Sequence, residues 1–325
     1  MRRIVSMLLI GLLVTAALPA PSTASDDIVI TGSGWGHGVG MSQYGAKGMA
    51  ATGSSAAQIL GHYYSGTSVG SVNSSTVRSW IVSEARPLWV GVMQNETTVT
   101  FKPVGGGATV CFESGGTTDC LPKAAGSGEL WRFKVLSGST CTYEQQVDGA
   151  WVARGEPGPC NGAVTPNGSA QISFVYLGRT YRDGIMRLRK DPDGAGVHAV
   201  WQTALEPYVR GIAEVPSSWP AAALAAQAIA ARSYAVSRIG WRGSATAFTD
   251  SRKAACWCNL YATTWDQQFK GVAAETSSWV SAVNATSGQI VVSGGRSAET
   301  FYSSSSGART ESNQHYWGSS PISYL

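Results

Sequence analysis

The sequence predicts an α+β protein in which helices and antiparallel sheet are mixed and a β-rich, disulfide-bearing insert is included. Three observations predict it: an alanine-rich run after Pro220 long enough for roughly five helical turns, short alternating strands between Ser79 and Arg189, and four cysteines inside that strand-rich stretch. The chain has 325 residues, is 43% hydrophobic and holds 12 Trp and 12 Tyr, which supplies a core and excludes a disordered chain. Only 14% of residues are charged and the net charge is +4, so a nucleic-acid partner held by a dense basic surface is not expected.

Taken in order, Arg2 and Arg3 precede an apolar run from Ile4 to Leu18, and the small residues Ser22 to Ser25 follow. A charged, an apolar and a cleavable region in that sequence predict a secretory signal over residues 1–25. The apolar run is short of the roughly 20 residues a membrane span needs, so a secreted, extracytoplasmic protein without a stable span is expected. Ile28 to Ile30 reads as a short strand entering a segment with Gly32, Gly34, Gly36, Gly38 and Gly40 at every second position. Such spacing supplies no packing side chains and predicts a loop built from backbone. Helices are expected over Met41–Thr52 and Ala57–Tyr64, with a linker from Ser65 to Thr76.

The next stretch reads as antiparallel strands at Ser79–Val82, Leu88–Met93, Thr97–Phe101, Trp131–Val135 and Gln171–Tyr176. Among three connectivities for its cysteines, local pairing of Cys111 with Cys120 and Cys141 with Cys160 is the economical one in an exported chain. Leu205–Ile212 begins a helical turn, Glu214–Trp219 interrupts it, and Pro220 opens the long helix to Ile239. Short strands at Gly288–Val292 and Ala298–Tyr302 close the chain. Cys256 and Cys258 either start a metal site or form an oxidised pair; no complete ligand set is visible nearby, so the pair is preferred and no metal or cofactor is expected. The organisation expected is a signal over 1–25, a glycine-rich segment over 26–70 packing on the core, a β-rich subdomain over 71–195 and a core over 196–325.

The glycine-rich loop lacks the Lys-Ser/Thr of a P-loop and the spacing of a dinucleotide fingerprint, and no G-x-S-x-G elbow occurs. The scarce carboxylates say more. Glu214 sits between Ala213 and Val215, ahead of Pro216 and near Tyr208, Trp219 and Tyr234. Apolar surroundings raise a carboxyl pKa and suit a proton donor; a Glu ahead of a helix also serves as a dipole-compensating residue.

Taken together, these strings resemble the SpoIID/LytB family of bacterial cell-wall proteins. Gly36-His37-Gly38-Val39-Gly40-Met41-Ser42-Gln43-Tyr44-Gly45-Ala46 is similar to the family signature, Leu205–Gly211 and Glu214–Trp219 to its LExYLxGV and E-x-P segments, and Ala226–Ala235 to its AQAxAARTYA helix. The resemblance implies a peptidoglycan lytic transglycosylase that cleaves the MurNAc-GlcNAc β-1,4 bond with 1,6-anhydroMurNAc formation, on denuded glycan strands, with Glu214 catalytic. Its rival is a non-catalytic, glycan-binding enhancer of a cell-wall amidase. The partners implied are glycan strands and an amidase. His37, Ser42, Gln43, Tyr44, Arg232, Tyr234, Ser304, Ser305 and Arg309 fall in the family's motifs as candidate substrate contacts, while Arg232 and Tyr234 equally suit a buried structural network. Here the signature lies near the amino end rather than the carboxyl end, so it must fold back beside Glu214. Ser304, Ser305 and Arg309 match the family's SSSGG-T-E block, in which Ala308 replaces the second glycine; Cys256 and Cys258 replace a wider-spaced cysteine element, the chain stops where relatives usually continue, and the Cys111–Cys160 insert suggests a specificity or partner surface.

Overall fold

The computed structural model describes residues 32–325 apart from position 75. The expected signal and the Ile28–Ile30 strand lie outside the described residues. Residues from Ser33 onward form one contact unit of α+β architecture. Its described helices are α1 (Gln43–Ala51), α2 (Ala56–Tyr63), α3 (Ser79–Ser83), α4 (Leu205–Arg210), α5 (Ala221–Arg242), α6 (Asp250–Ala255), α7 (Ser277–Ala285) and α8 (Asn313–Trp317).

Helix α5 is the spine. Every residue from Ala226 to Val236 is buried, because alanines on both faces let neighbours approach closely all round the helix. One side joins the main core through Ala223, Leu224, Ala228, Ala235, Val236 and Ile239. The other meets Met41, Ala46, Ile59, Leu60 and Tyr64 of the N-terminal segment through Ala226, Ile229 and Ala230. Ser42 caps α1 by accepting the Gly45 N–H, and Ser55 caps α2 in a box closed by Gln58.

The β-rich part is two seven-stranded sheets. One is centred on Leu88–Glu96, Val197–Thr203 and Gly184–Lys190, paired antiparallel, with the short Leu260–Tyr261 strand added in parallel at its edge. The other is centred on Thr98–Val104, Trp131–Ser137 and Thr140–Val147. Cys111 and Cys120 bridge directly opposite positions of a hairpin, and Cys141–Cys160 ties neighbouring strands. Cys256 and Cys258 are also joined, fully buried beside Trp89 and Phe248. All three expected pairings are therefore present.

Several elements differ from the expectation. Ser79–Ser83 is helical rather than extended, anchored by the one buried residue Ile81 against α5. The expected linker contains the strand Ser68–Ser71, paired antiparallel with Gln289–Ser293. Ser277–Ala285 is a helix that buries Trp279, Ala282 and Val283 at i, i+3 and i+4 spacing. Of Ala298–Tyr302 only Tyr302 extends into a strand, Tyr302–Ser303; Thr300 instead donates its hydroxyl to the Ala230 carbonyl of α5 at 2.7 Å.

Candidate active site

The two ends of the described chain close on each other through backbone. Met41–Ser42 pairs in parallel with Tyr302–Ser303. The seam extends both ways: the Trp35 N–H donates to the Ser305 carbonyl at 2.7 Å, the Glu311 N–H to the Gly38 carbonyl at 2.9 Å and the Tyr44 N–H to the Ser304 carbonyl at 3.0 Å. The Gly38 N–H also donates to the Ser303 hydroxyl at 3.2 Å. Gly40 has φ +72, and a methyl group there would overlap the Phe301 carbonyl oxygen. That oxygen already accepts the Met41 N–H at 3.0 Å and the Tyr64 hydroxyl at 2.8 Å. Only glycine meets both demands.

Glu214 lies on the strap between α4 and α5, laced to residues 266–271. The Ala213 N–H donates to the Gln268 carbonyl at 2.9 Å, and the Gln268 N–H donates to Glu214 Oε1 at 2.6 Å. Its side chain is half-buried. Burial pushes the carboxyl above its ordinary pKa, while the Gln268 N–H and the positive charge of Lys270 pull partly back. Beside it, the Tyr208 hydroxyl donates to Gln267 Oε1 at 2.9 Å, and Gln267 Nε2 donates to the Tyr302 hydroxyl at 2.7 Å. Burial holds both phenols well above their usual range, and the charge of Glu214 adds to the effect on each.

Tyr302 thus belongs to the glycine-segment seam and to the surroundings of Glu214. A second junction forms where the Tyr44 ring meets Trp219 edge-on, centroids 5.1 Å apart, with Lys47 Nζ 5.5 Å from the Trp219 ring centre. Tyr44 is 56% exposed and presents a free aromatic surface there.

The other candidate residues divide. Tyr234 and His37 line a large cavity of about 1010 Å³, which Glu214 does not line. His37 Nδ1 accepts the Val39 N–H at 3.0 Å, and burial lowers the pKa of its ring. Ser304 and Ser305 are half-buried, and their carbonyls serve the seam; Arg309 is exposed. Ser42, Gln43 and Arg232, expected as substrate contacts, are buried and engaged internally. The Ser42 hydroxyl caps α1, and Gln43 Nε2 donates to Gln227 Oε1 at 3.3 Å. Arg232 is fully buried and forms a bidentate pair with Glu206, Nε to Oε1 at 2.9 Å and Nη2 to Oε2 at 2.7 Å. Its fork fixes α5 to α4.

Sequence reasoning missed Gln267, Gln268 and Lys270, which sit in a loop without periodicity, and passed over Asp266. Asp266 is a rival carboxylate and is already committed: it accepts the Tyr234 hydroxyl at 3.0 Å, the Tyr261 N–H at 2.8 Å and Arg242 at 2.6 Å. With a fully buried side chain it is an anchor for the loop. Among the described residues no group of three or more His, Cys, Asp or Glu side chains could hold a metal ion, and the oxidised Cys256–Cys258 pair offers no thiolate.

The fold and this geometry define a disulfide-bonded α+β protein in which the half-buried Glu214 lies within the electrostatic reach of Tyr302, a residue of the glycine-built seam. Residues 193–292 match the model of the SpoIID family, described as Stage II sporulation protein. It is 53% identical over 47 residues to Stage II sporulation protein D of Bacillus amyloliquefaciens, covering 14% of either chain. It is 58% identical over 40 residues to the Amidase enhancer of Bacillus subtilis (strain 168), covering 12% of this chain and 6% of that one. A further match, to Stage II sporulation protein D of Bacillus subtilis (strain 168), is 52% identical over 44 residues, 14% of this chain and 13% of that one. The matched stretches therefore span a small part of these relatives. No solved structure matches. Among the described residues no helix is long and apolar enough to cross a membrane, and three disulfides fit an oxidising, extracytoplasmic compartment.

Proposed function

We propose that the protein is a secreted peptidoglycan lytic transglycosylase in which Glu214 serves as both acid and base. The observation that carries the reading is the half-buried Glu214 carboxyl, raised in pKa by burial and held by the Gln268 N–H at 2.6 Å. A protonated Glu214 donates to the glycosidic oxygen as the bond from C1 of the MurNAc unit breaks. The resulting carboxylate then takes the proton of the same sugar's 6-hydroxyl as that oxygen bonds to C1, closing the 1,6-anhydro ring. The proton lost in the first step returns in the second, so no water and no second carboxylate enter, in contrast to paired-acid hydrolysis. The committed contacts of Asp266 agree with a single working acid.

The exposed Tyr44 ring, backed by the buried Trp219, supplies an aromatic surface against which a sugar ring packs. The expected division into a β-rich subdomain over 71–195 and a core over 196–325 leaves the Cys111–Cys160 insert as a surface for strand or partner selection. The test is mass spectrometry of products from denuded glycan strands: anhydroMurNAc ends are expected from the wild type and none from Glu214→Gln. A second reading, helper of a cell-wall amidase, draws on the similarity to the Amidase enhancer; it prevails when no anhydro ends form and a separate amidase is nonetheless stimulated.

A further inference from the structure

The large cavity is walled by aromatics from three separate parts of the chain: Trp241 at the end of α5, Trp265 in the loop ahead of Gln267, and Tyr316 and Trp317 on α8. Trp241 is 75% and Trp265 82% exposed, and Tyr316 and Trp317 remain 54% and 43% exposed. Leaving several large rings in water around one concavity forfeits burial that the fold gives other tryptophans, and such clusters mark binding surfaces. Trp317 is braced by Phe301 at a centroid distance of 4.6 Å and by His37 at 5.1 Å, so that wall is rigid. Trp241 and Trp265 have no aromatic partner among the described residues.

The charged side chains that line the groove are each ion-paired. Arg238 pairs with Glu299 at 3.0 Å, and Asp266 with Arg242 at 2.6 Å. A groove with aromatic faces, matched charges and hydrogen-bonding groups such as Asn313 and Ser320 fits a neutral, polyhydroxylated ligand better than an ionic one. A volume of about 1010 Å³ stands at the upper end of small-molecule sites and suits an oligomer. Tyr302 lines this groove and lies within the electrostatic reach of Glu214.

Building on the glycan reading above, we infer that this groove is a distal saccharide subsite. It holds the N-acetylglucosamine units of the strand, the uncharged half of the alternating polymer, by stacking on Trp241 and Trp265, away from the bond that Glu214 cleaves. The test uses the N-acetylglucosamine tetramer as probe, titrated calorimetrically against the full chain, Trp241→Ala, Trp265→Ala and Glu214→Gln. Both indoles are exposed, so their removal leaves the fold intact, as circular dichroism will verify.

Each tryptophan substitution is expected to weaken tetramer binding about tenfold, the scale of one well-placed aromatic contact, and to raise KM on glycan strands with kcat retained. Glu214→Gln binds the tetramer as wild type does. Tetramer affinity unchanged in both tryptophan variants overturns the subsite, as does wild type that fails to bind the tetramer or binds only a stem peptide. Turnover surviving in Glu214→Gln while the tryptophan variants lose binding overturns the catalytic reading and leaves the subsite standing.

Discussion

Arg232 offers a sharp test of how the fold holds Glu214 in place. Its guanidinium is fully buried and spends its donors on both oxygens of Glu206 and on the carbonyls of Gln289 at 3.1 Å, Val283 at 3.2 Å and Ala228 at 3.4 Å. Arg232→Met fills most of the space and leaves Glu206 with the Gly288 N–H at 3.0 Å as its protein partner on Oε1. Breaking a buried pair of this kind costs about 3–5 kcal/mol, because one charge stays behind without its partner. Glu206 is 26% exposed, so water recovers part of that and Arg232→Met belongs at the low end. Glu206→Gln strands the fully buried cation and belongs at the high end. Arg232→Lys restores a charge without the planar fork and recovers only part of the loss. Urea unfolding followed by tryptophan fluorescence gives all three values, against a total stability of about 5–15 kcal/mol for an ordinary domain. Losses under about 1 kcal/mol in all three variants, or an unaltered fold with KM raised on glycan strands, would show that Arg232 faces substrate and refute the structural assignment.

Further outcomes follow from particular contacts. Gly40→Ala drives a methyl into the Phe301 carbonyl at φ +72 and is expected to cost more than about 2 kcal/mol. Gly48→Ala, on α1 with open space around it, stabilises by about 0.5–1 kcal/mol, both read from urea midpoints. Lys270→Met removes a charge that lowers the Glu214 pKa, so the descending alkaline limb of the pH–rate profile moves to higher pH; a shift to lower pH contradicts the assignment. The raised pKa also fixes the sign of a stability effect. Burial penalises the Glu214 carboxylate, so the disadvantage grows as pH rises through the folded-state pKa. Glu214→Gln is therefore the more stable protein at neutral pH, with the gap closing in acid, which pH-dependent thermal unfolding checks. Replacing Cys141 and Cys160 with serine opens a link across 19 residues and costs about 3 kcal/mol by loop entropy, readable by urea unfolding under non-reducing conditions.

Much of the fold was legible in the residues. Pro220 and the alanine run mark α5 because they combine a start signal with strong helix formers, and the continuous apolar run Leu88–Met93 and the alternating apolar residues of Trp131–Ser137 announce strands. The α3, α7 and Ser68–Ser71 elements were not read, because each is short and its state is decided by a distant partner: α5 for Ile81, Gln289–Ser293 for Ser68–Ser71. At the site, the apolar neighbours of Glu214 left it open between a proton donor and a dipole-compensating residue, and its expected catalytic role came from the family resemblance alone. Gln267, Gln268 and Lys270 were not, since a backbone N–H that binds a carboxylate leaves no mark on the side chain that bears it. The division of motif residues into exposed Tyr44 and buried Arg232 was likewise beyond reach: the motif gives their spacing, and only packing against α4 and Trp219 gives their burial.

The central claim is that one proton moves out from Glu214 and back, with no water consumed. Digestion of denuded glycan strands in heavy-oxygen water tests this directly. The account predicts wild-type ends one water lighter than a hydrolytic product and free of the label, and no ends at all from Glu214→Gln. Label in the new reducing ends, or undiminished anhydro products from that variant, would contradict it.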